Sequence, residues 1–508
     1  MILKHLSTKQ ICDMKEMFNP KKILRMIYSE NRIKCYRSFK RLFCLYILPI
    51  VLFLAISGCV NFTGRNTDSS IDSQVSEMES MAGAEIDLGV ITGPATYRGS
   101  GFLWSISSKQ PHDSLVLPLK IQLFRSRITP WRDNTGMASI VRVKDFVPRI
   151  QVVLSDEYNL RFPPRPQPAS YSKTQFGYSR ITSWPGDNGD FSLWEDVLED
   201  TYEAVKEKGI EVEWDFWEEP NWSGWWKPSK EQFFDTWAVG VNKLRELDPK
   251  AVFVGPSITG FDPDYLKAFL LYAKEHNVLP DILSWHEIHD KDSPTEIPEH
   301  AALMREFMDE IGIERLKIDI NEVVSPGRFT NPGLHVWYLA NMEEADIYGA
   351  CKATWRDEDE SLYTAVVPVL GGFLTYPELQ PRAAWWVMKA YADITGNLTL
   401  VKPDSTMEGI AGIDEDSETI RILLGRGKYG SEEDIVKIKN LDQVYFLSGL
   451  DSLHVLANRI PNNKWDPLPA PITIMNKKVE IKNNALMLNF PDFRPNEALQ
   501  VVLTVSEN

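Results

Sequence analysis

From residue 88 onward, short runs of apolar, β-branched and aromatic residues alternate with longer stretches in which apolar side chains recur every three or four positions. The runs lie at 88–94, 120–126, 149–155, 211–217, 252–257, 281–287, 316–322 and 347–355. They are near-continuous rather than alternating, which is how strands buried on both faces read. Amphipathic stretches separate most of them. Ser192 with Glu195 forms a capping-box pattern ahead of Val197, Leu198, Tyr202 and Val205, and Gly209 closes that helix. Ser229 with Gln232 opens another, with Phe233, Trp237, Val241 and Leu244 on one face. Similar segments follow at 262–276, 298–311, 333–344 and 380–394. Strand–helix alternation predicts a parallel sheet, and eight strands over roughly 300 residues predict a (β/α)8 TIM barrel. The barrel is placed at 87–395; its first connection, 95–119, reads as a long loop with a short helix. Beyond it, short strand-like runs separated by turn formers predict a C-terminal all-β sandwich over 396–508.

The first 59 residues have a different character. Arg32, Lys34, Arg37, Lys40 and Arg41 precede the apolar run 42–56, and Ile56-Ser57-Gly58-Cys59 follows. A basic region, an apolar region and small residues before a cut describe a secretory signal. The tetrapeptide resembles a bacterial lipobox, which implies that Cys59 is lipidated and that the protein is exported and held at the cell envelope as a membrane-anchored lipoprotein. An uncleaved transmembrane anchor is the alternative, since the apolar run is nearly long enough to span. Residues 60–86 are polar without apolar period and read as a flexible tether.

Charge narrows the partners. The leader carries 11 Lys/Arg against 3 Asp/Glu, and the remainder 44 against 68, a net −24. So acidic a body excludes nucleic acid and disfavours polyanionic glycans. Of five cysteines, Cys59 and Cys351 lie outside the part a signal peptidase would remove. That leaves no disulfide framework and no zinc spacing. Oligomeric state is not legible.

The candidate chemistry sits at the ends of the predicted strands. Glu219 lies in Trp217-Glu218-Glu219-Pro220-Asn221 after strand four, and Glu322 in Ile318-Asp319-Ile320-Asn321-Glu322 on strand seven. In a TIM barrel the strand C-termini form the active face. Hydrolysis of a glycosidic bond needs two carboxyl groups there, one protonated and one ionised. The Trp217–Asn221 segment resembles the Trp-Asn-Glu-Pro-Asn motif of clan A glycoside hydrolases, and the chain most resembles family 39, the β-xylosidase and α-L-iduronidase group. Val254-Gly255-Pro256 and Asp281–His286 resemble that family's strands five and six.

The resemblance implies a retaining O-glycosyl hydrolase with Glu219 as acid/base and Glu322 as nucleophile, no cofactor and no metal. It also implies that Arg125, at the end of strand two, holds Glu322 ionised, and that His286 orients a site group. Trp355 would lie under the first sugar. Trp222 and Trp225, followed by Trp226, read as stacking platforms on a loop with Gly224. Asp215 and Asp319 share inward parity with the two glutamates and read as supporting residues. One departure stands out: the motif's asparagine, which donates to the sugar 2-hydroxyl, is Glu218 here. An ionised glutamate can only accept. The reading is therefore a carbohydrate-active enzyme on neutral oligo- or polysaccharides. Its competitor is a catalytically inactive glycan-binding lipoprotein on the same barrel, favoured by Glu218 and opposed by retention of both Glu219 and Glu322.

Overall fold

The computed structural model describes residues 82–505 apart from 131–134, 163–177, 179, 292, 359–361, 404 and 428–434. Cys59 and the leader lie outside the described residues. Among those described, no helix is long and apolar enough to cross a membrane.

Eight parallel strands close a barrel in chain order: β2 (Gly101–Leu103), β3 (Leu123–Ser126), β4 (Arg149–Val153), β5 (Glu213–Asp215), β6 (Val252–Ile258), β7 (Ile282–Glu287), β8 (Lys317–Val323) and β9 (Gly349–Lys352). Helices follow the strands: α1 (Asp113–Val116), α2 (Met137–Val143), α3 (Leu154–Leu160), α4 (Ser192–Glu207), α5 (Lys230–Leu247), α6 (Pro263–Glu275), α7 (Ile297–Glu310), α8 (Pro332–Glu344) and α9 (Ala383–Asp393). Their apolar faces bury Trp194, Trp237, Leu266 and Phe269 against the strands, as the 3.6-residue period requires.

The first strand corrects the sequence reading. The run at 88–94 belongs to β1 (Ala82–Pro94), which lies outside the barrel. The barrel's own first strand is the three-residue Gly101–Leu103, inside the stretch read as a connection. Periodicity identifies a buried strand but not the sheet it joins, and three residues carry no period. The tether reading is corrected at its end too, because 82–86 are strand.

β1 instead pairs antiparallel with β10 (Asn397–Pro403) and parallel with β13 (Ile435–Lys439). These belong to a nine-stranded sheet with β11 (Met407–Asp414), β12 (Thr419–Arg426), β14 (Ser452–Ile460), β15 (Ile472–Glu480), β16 (Ala485–Asn489) and β17 (Ala498–Thr504). It is one continuous hydrogen-bonded sheet. Leu486 and Leu488 at one end share a core with Val455 and Leu503 towards the other, so the sheet curls over on itself as a sandwich does. The β domain thus takes its strands from both sides of the barrel.

The two parts meet where α8 crosses β12. A methyl group on Gly425 would stand 2.2 Å from the Gly333 carbonyl oxygen, so glycine is required for this approach. The indole of Trp337 donates to the Gly425 oxygen beside it at 2.9 Å.

Candidate active site

Arg125 organises the C-terminal mouth of the barrel. It ends β3 and is completely buried. Its Nε donates to Asp215 at 2.8 Å, one terminal nitrogen to Glu322 at 2.9 Å and the other to Glu218 at 2.6 Å. One cation therefore faces three buried carboxylates. Beneath it, Ser257 donates to the other oxygen of Asp215 at 3.0 Å, and the amide of Asn321 donates to Asp215 and to Ser257. Charges this far from water persist only when paired and hydrogen-bonded on every side.

Local distortions aim these groups. Along β7 and β8, Trp285 pairs with Ile320 but His286 pairs with Glu322, leaving Asn321 as an extra residue. A bulge of this kind re-aims side chains, so Asn321 and Glu322 both contribute to the site although strict alternation would separate them. A second register shift on β6 falls at Ser257, whose φ is +53°. Glu219 itself has φ +44°, in the left-handed region that a residue before proline seldom enters. Its amide donates to the Ser257 carbonyl at 3.0 Å, fixing the loop after β5 against β6.

A cluster of rings holds that loop. Trp217 contacts Tyr158, Trp184, Trp194 and Trp226 with centroids 4.8–5.9 Å apart. Its indole donates to the Trp225 carbonyl at 2.8 Å. Trp226 is therefore packing and not a platform, which corrects the reading of the tryptophan loop. Trp225 is half-buried against Tyr178, and Trp222 stands 41% exposed. Trp355 is half-buried, its indole donating at 2.8 Å to the carbonyl of Val324, two residues past Glu322.

Glu219 and His286 meet at 3.1 Å through Nδ1; the Nε2 of this buried histidine has no hydrogen-bond partner among the described residues. Burial presses the imidazole down to about 3 although Glu218 pulls the other way, so His286 is neutral at working pH. Burial raises the Glu219 carboxyl above its ordinary range, against hydrogen bonds from Thr259 and Trp225 and the charges of Arg125 and His289. That direction suits a proton donor. Glu322 differs from expectation. Burial, with Glu218 adding to it, pushes its carboxyl well above the usual range, and Arg125 does not win because it is shared.

Ligand atoms of Glu218, His286 and Glu322 lie within 4.8 Å of one another. A metal ion could find three donors there, but the guanidinium already seated on both carboxylates opposes a second cation.

The structure brings together Arg125, Glu218, Glu219, His286 and Glu322, with Trp222, Trp225 and Trp355 on nearby loops. Asp215 joins them; Asp319 does not. Asp319 belongs to a separate network with Arg149, Gln151 and Glu213. Sequence reasoning missed Ser155, which accepts from the Glu218 amide at 3.0 Å, and the Tyr178 and Asp156 hydroxyl–carboxylate chain behind it. It also missed Ser257 and Asn321. No spacing signal marks them, although the polar Asn321 inside an apolar strand was a hint.

No family model matches the chain. The 3-O-alpha-D-galactosyl-alpha-L-arabinofuranosidase of Bifidobacterium longum subsp. longum is 26% identical over 223 residues, 42% of this chain and 18% of that protein. The match thus spans under a fifth of its length. The solved structure of N2152 from Neocallimastix frontalis covers 84% of this chain and 100% of its own, with a TM-score of 0.68 at 21% identity. The GH39 enzyme from Xanthomonas axonopodis pv. citri covers 83% and 97%, with a TM-score of 0.57 at 12% identity. These structures share the fold, and the chain resembles clan A glycoside hydrolases of the family 39 type.

Proposed function

We propose that this chain is a retaining glycoside hydrolase with Glu219 as acid/base and Glu322 as nucleophile, acting at the cell surface from a lipid anchor on Cys59. One observation carries the reading. Glu219, on the loop after the fourth barrel strand, and Glu322, near the end of the seventh, lie in one buried cluster with Arg125 and His286.

The chemistry follows from the side chains. Glu322 attacks the anomeric carbon while the glycosidic bond breaks, and Glu219 gives its proton to the departing oxygen. The product is a glycosyl ester on Glu322. Water then attacks the same carbon, Glu219 takes its proton, and Glu322 is released. His286, neutral and bonded to Glu219, holds that carboxyl in place through both transfers. Trp222 supplies an exposed face for a sugar ring further out.

The net −24 of the body and the surplus of carboxylates in the cleft favour a neutral substrate. The arabinofuranosidase named above makes α-L-arabinofuranosides the first class to try. The test is a hydrolysis screen of residues 60–508 against aryl glycosides and plant and bacterial polysaccharides, with Glu322→Ala alongside. Activity abolished by the substitution supports the reading. Activity that survives it removes Glu322 as nucleophile, and glycan binding without hydrolysis by either protein moves the function to a binding lipoprotein.

A further inference from the structure

One face of the β sheet meets the barrel, and its character changes along a single row. Leu423 on β12 is buried in the barrel's own core, together with Ile460 on β14 and Ala498 on β17. Across the sheet from Leu423, the directly paired residues are Gln500 on β17, then Asn458 on β14, then Thr473 on β15. Paired residues share a face, so the row that begins apolar against the barrel turns polar towards the sheet's edge. Asn458 and Gln500 are half-buried. They line a hollow of about 200 Å3 to which α9 contributes Trp386, Lys389 and Asp393, with Pro471 beside them. No residue of the hollow belongs to the cluster around Arg125.

The polar row leaves hydrogen-bonding capacity unused. The Thr473 hydroxyl donates to the Asn458 oxygen at 2.8 Å, but the Asn458 amide reaches the Gln500 oxygen only at 3.5 Å, the outer limit for such a bond. The Gln500 amide nitrogen donates to none of the described residues. Each of these amides can both give and accept. Lys389 donates to both carboxylate oxygens of Asp393, so the ionic part of the wall is closed on itself. Trp386 is fixed twice. Its indole donates to the Leu468 carbonyl at 2.7 Å, and its ring stands at right angles to Trp385 with centroids 4.9 Å apart. The ring is therefore set in place before any ligand arrives.

This lining selects for a neutral ligand that has groups able to give and take hydrogen bonds and an apolar face for an indole. A charged ligand would find the lysine and aspartate already paired. An apolar one would cover the two amides and leave them unsatisfied. A sugar ring meets both demands. We propose that the hollow between α9 and strands β14 and β17 is a second saccharide-binding site, apart from the active cleft, in which Trp386 takes the face of a neutral sugar ring and Asn458 and Gln500 bind its hydroxyls. The choice of a sugar among neutral hydrogen-bonding ligands rests on the glycosidase reading. A polysaccharide held there keeps its other bonds at high local concentration around the barrel mouth.

Native electrophoresis of the full chain through gels holding arabinoxylan, linear arabinan or xyloglucan tests the site. At least one of these neutral polysaccharides should retard the wild type. Trp386→Ala, and separately Asn458→Ala combined with Gln500→Ala, should each weaken the apparent Kd about tenfold. The amide variant removes only half-buried side chains and should keep the wild-type urea midpoint, so it carries the test even where Trp386→Ala fails to fold. Its cleavage of a small aryl glycoside should be unchanged, while its cleavage of the retarding polysaccharide falls. Equal retardation of the wild type and the amide variant, or no retardation in any gel, overturns the second site. Retardation that depends on Asn458 and Gln500 in a protein that cleaves no glycoside sinks the enzyme reading and leaves this site standing.

Discussion

Replacing Arg125 with methionine keeps the length of the side chain and removes the charge that contacts Asp215, Glu218 and Glu322 at 2.6–2.9 Å. At an effective dielectric of about 20, each such pair at roughly 4 Å between charge centres is worth about 4 kcal/mol gross. Desolvation and mutual repulsion of the carboxylates cancel much of the sum. Breaking a buried pair by removing one partner typically costs about 3–5 kcal/mol, and we expect that loss at pH 8. The pH dependence has a definite sign. Burial already holds Asp215 up to about 6 and Glu322 well above its ordinary range, and without Arg125 both rise further above their unfolded values. A folded state that binds more protons than the unfolded chain is most stable below the unfolded carboxyl range and loses stability as pH rises through the raised values. The deficit of Arg125→Met should therefore be small near pH 4–5 and reach its full size by pH 8. Urea unfolding followed by tryptophan fluorescence at both pH values measures it, with an unchanged m-value as the check that the denatured state is the same. A deficit under about 1 kcal/mol at pH 8, or the same deficit at both pH values, would refute the reasoning.

Two further outcomes separate packing from function. Trp226→Ala should cost about 3–5 kcal/mol of stability because the ring is buried against Trp184, Trp217 and Phe233, whereas Trp222→Ala should cost under about 1 kcal/mol and raise KM roughly tenfold; equal stability losses would reverse the assignment. His335 is buried, donates from Nε2 to the Phe329 carbonyl at 2.8 Å, and is pressed down to about 3 by burial, so the unfolded chain takes up its proton first and stability is lost as pH falls from about 6.5; His335→Gln should flatten that slope by up to about 1.4 kcal/mol per pH unit, read from urea midpoints between pH 6.5 and 4.

The sequence disclosed the parts whose signal is periodic or chemical. Strands two to eight of the barrel announce themselves as apolar runs, and Glu219, Glu322, Arg125 and His286 fall at their ends. Ser229 caps α5 as its spacing predicts, accepting from the Gln232 amide at 3.1 Å. What stayed hidden depended on tertiary choice. The Ser192 pattern looks like a cap, but its hydroxyl and amide both bond Asp190, so the helix starts at Ser192 with Phe191 at its N-cap. β1 has the composition of a barrel strand and finds its partners some 300 residues later, in β10 and β13. The bulges at Ser257 and Asn321 break the period of two that sequence reading relies on, and they do so at the mouth, where the side chains need aiming. Glu218 was visible as a departure, but its sharing of one arginine with Asp215 and Glu322 was not.

The central claim is that Glu322 attacks the sugar while Glu219 manages the proton. Intact-mass and peptide analysis of Glu219→Ala, incubated with an aryl α-L-arabinofuranoside bearing an activated leaving group, tests it most directly. Without its acid/base the protein should accumulate one covalent glycosyl group on Glu322, released when azide is added. An adduct on Glu218, or turnover with no adduct at all, would contradict the account.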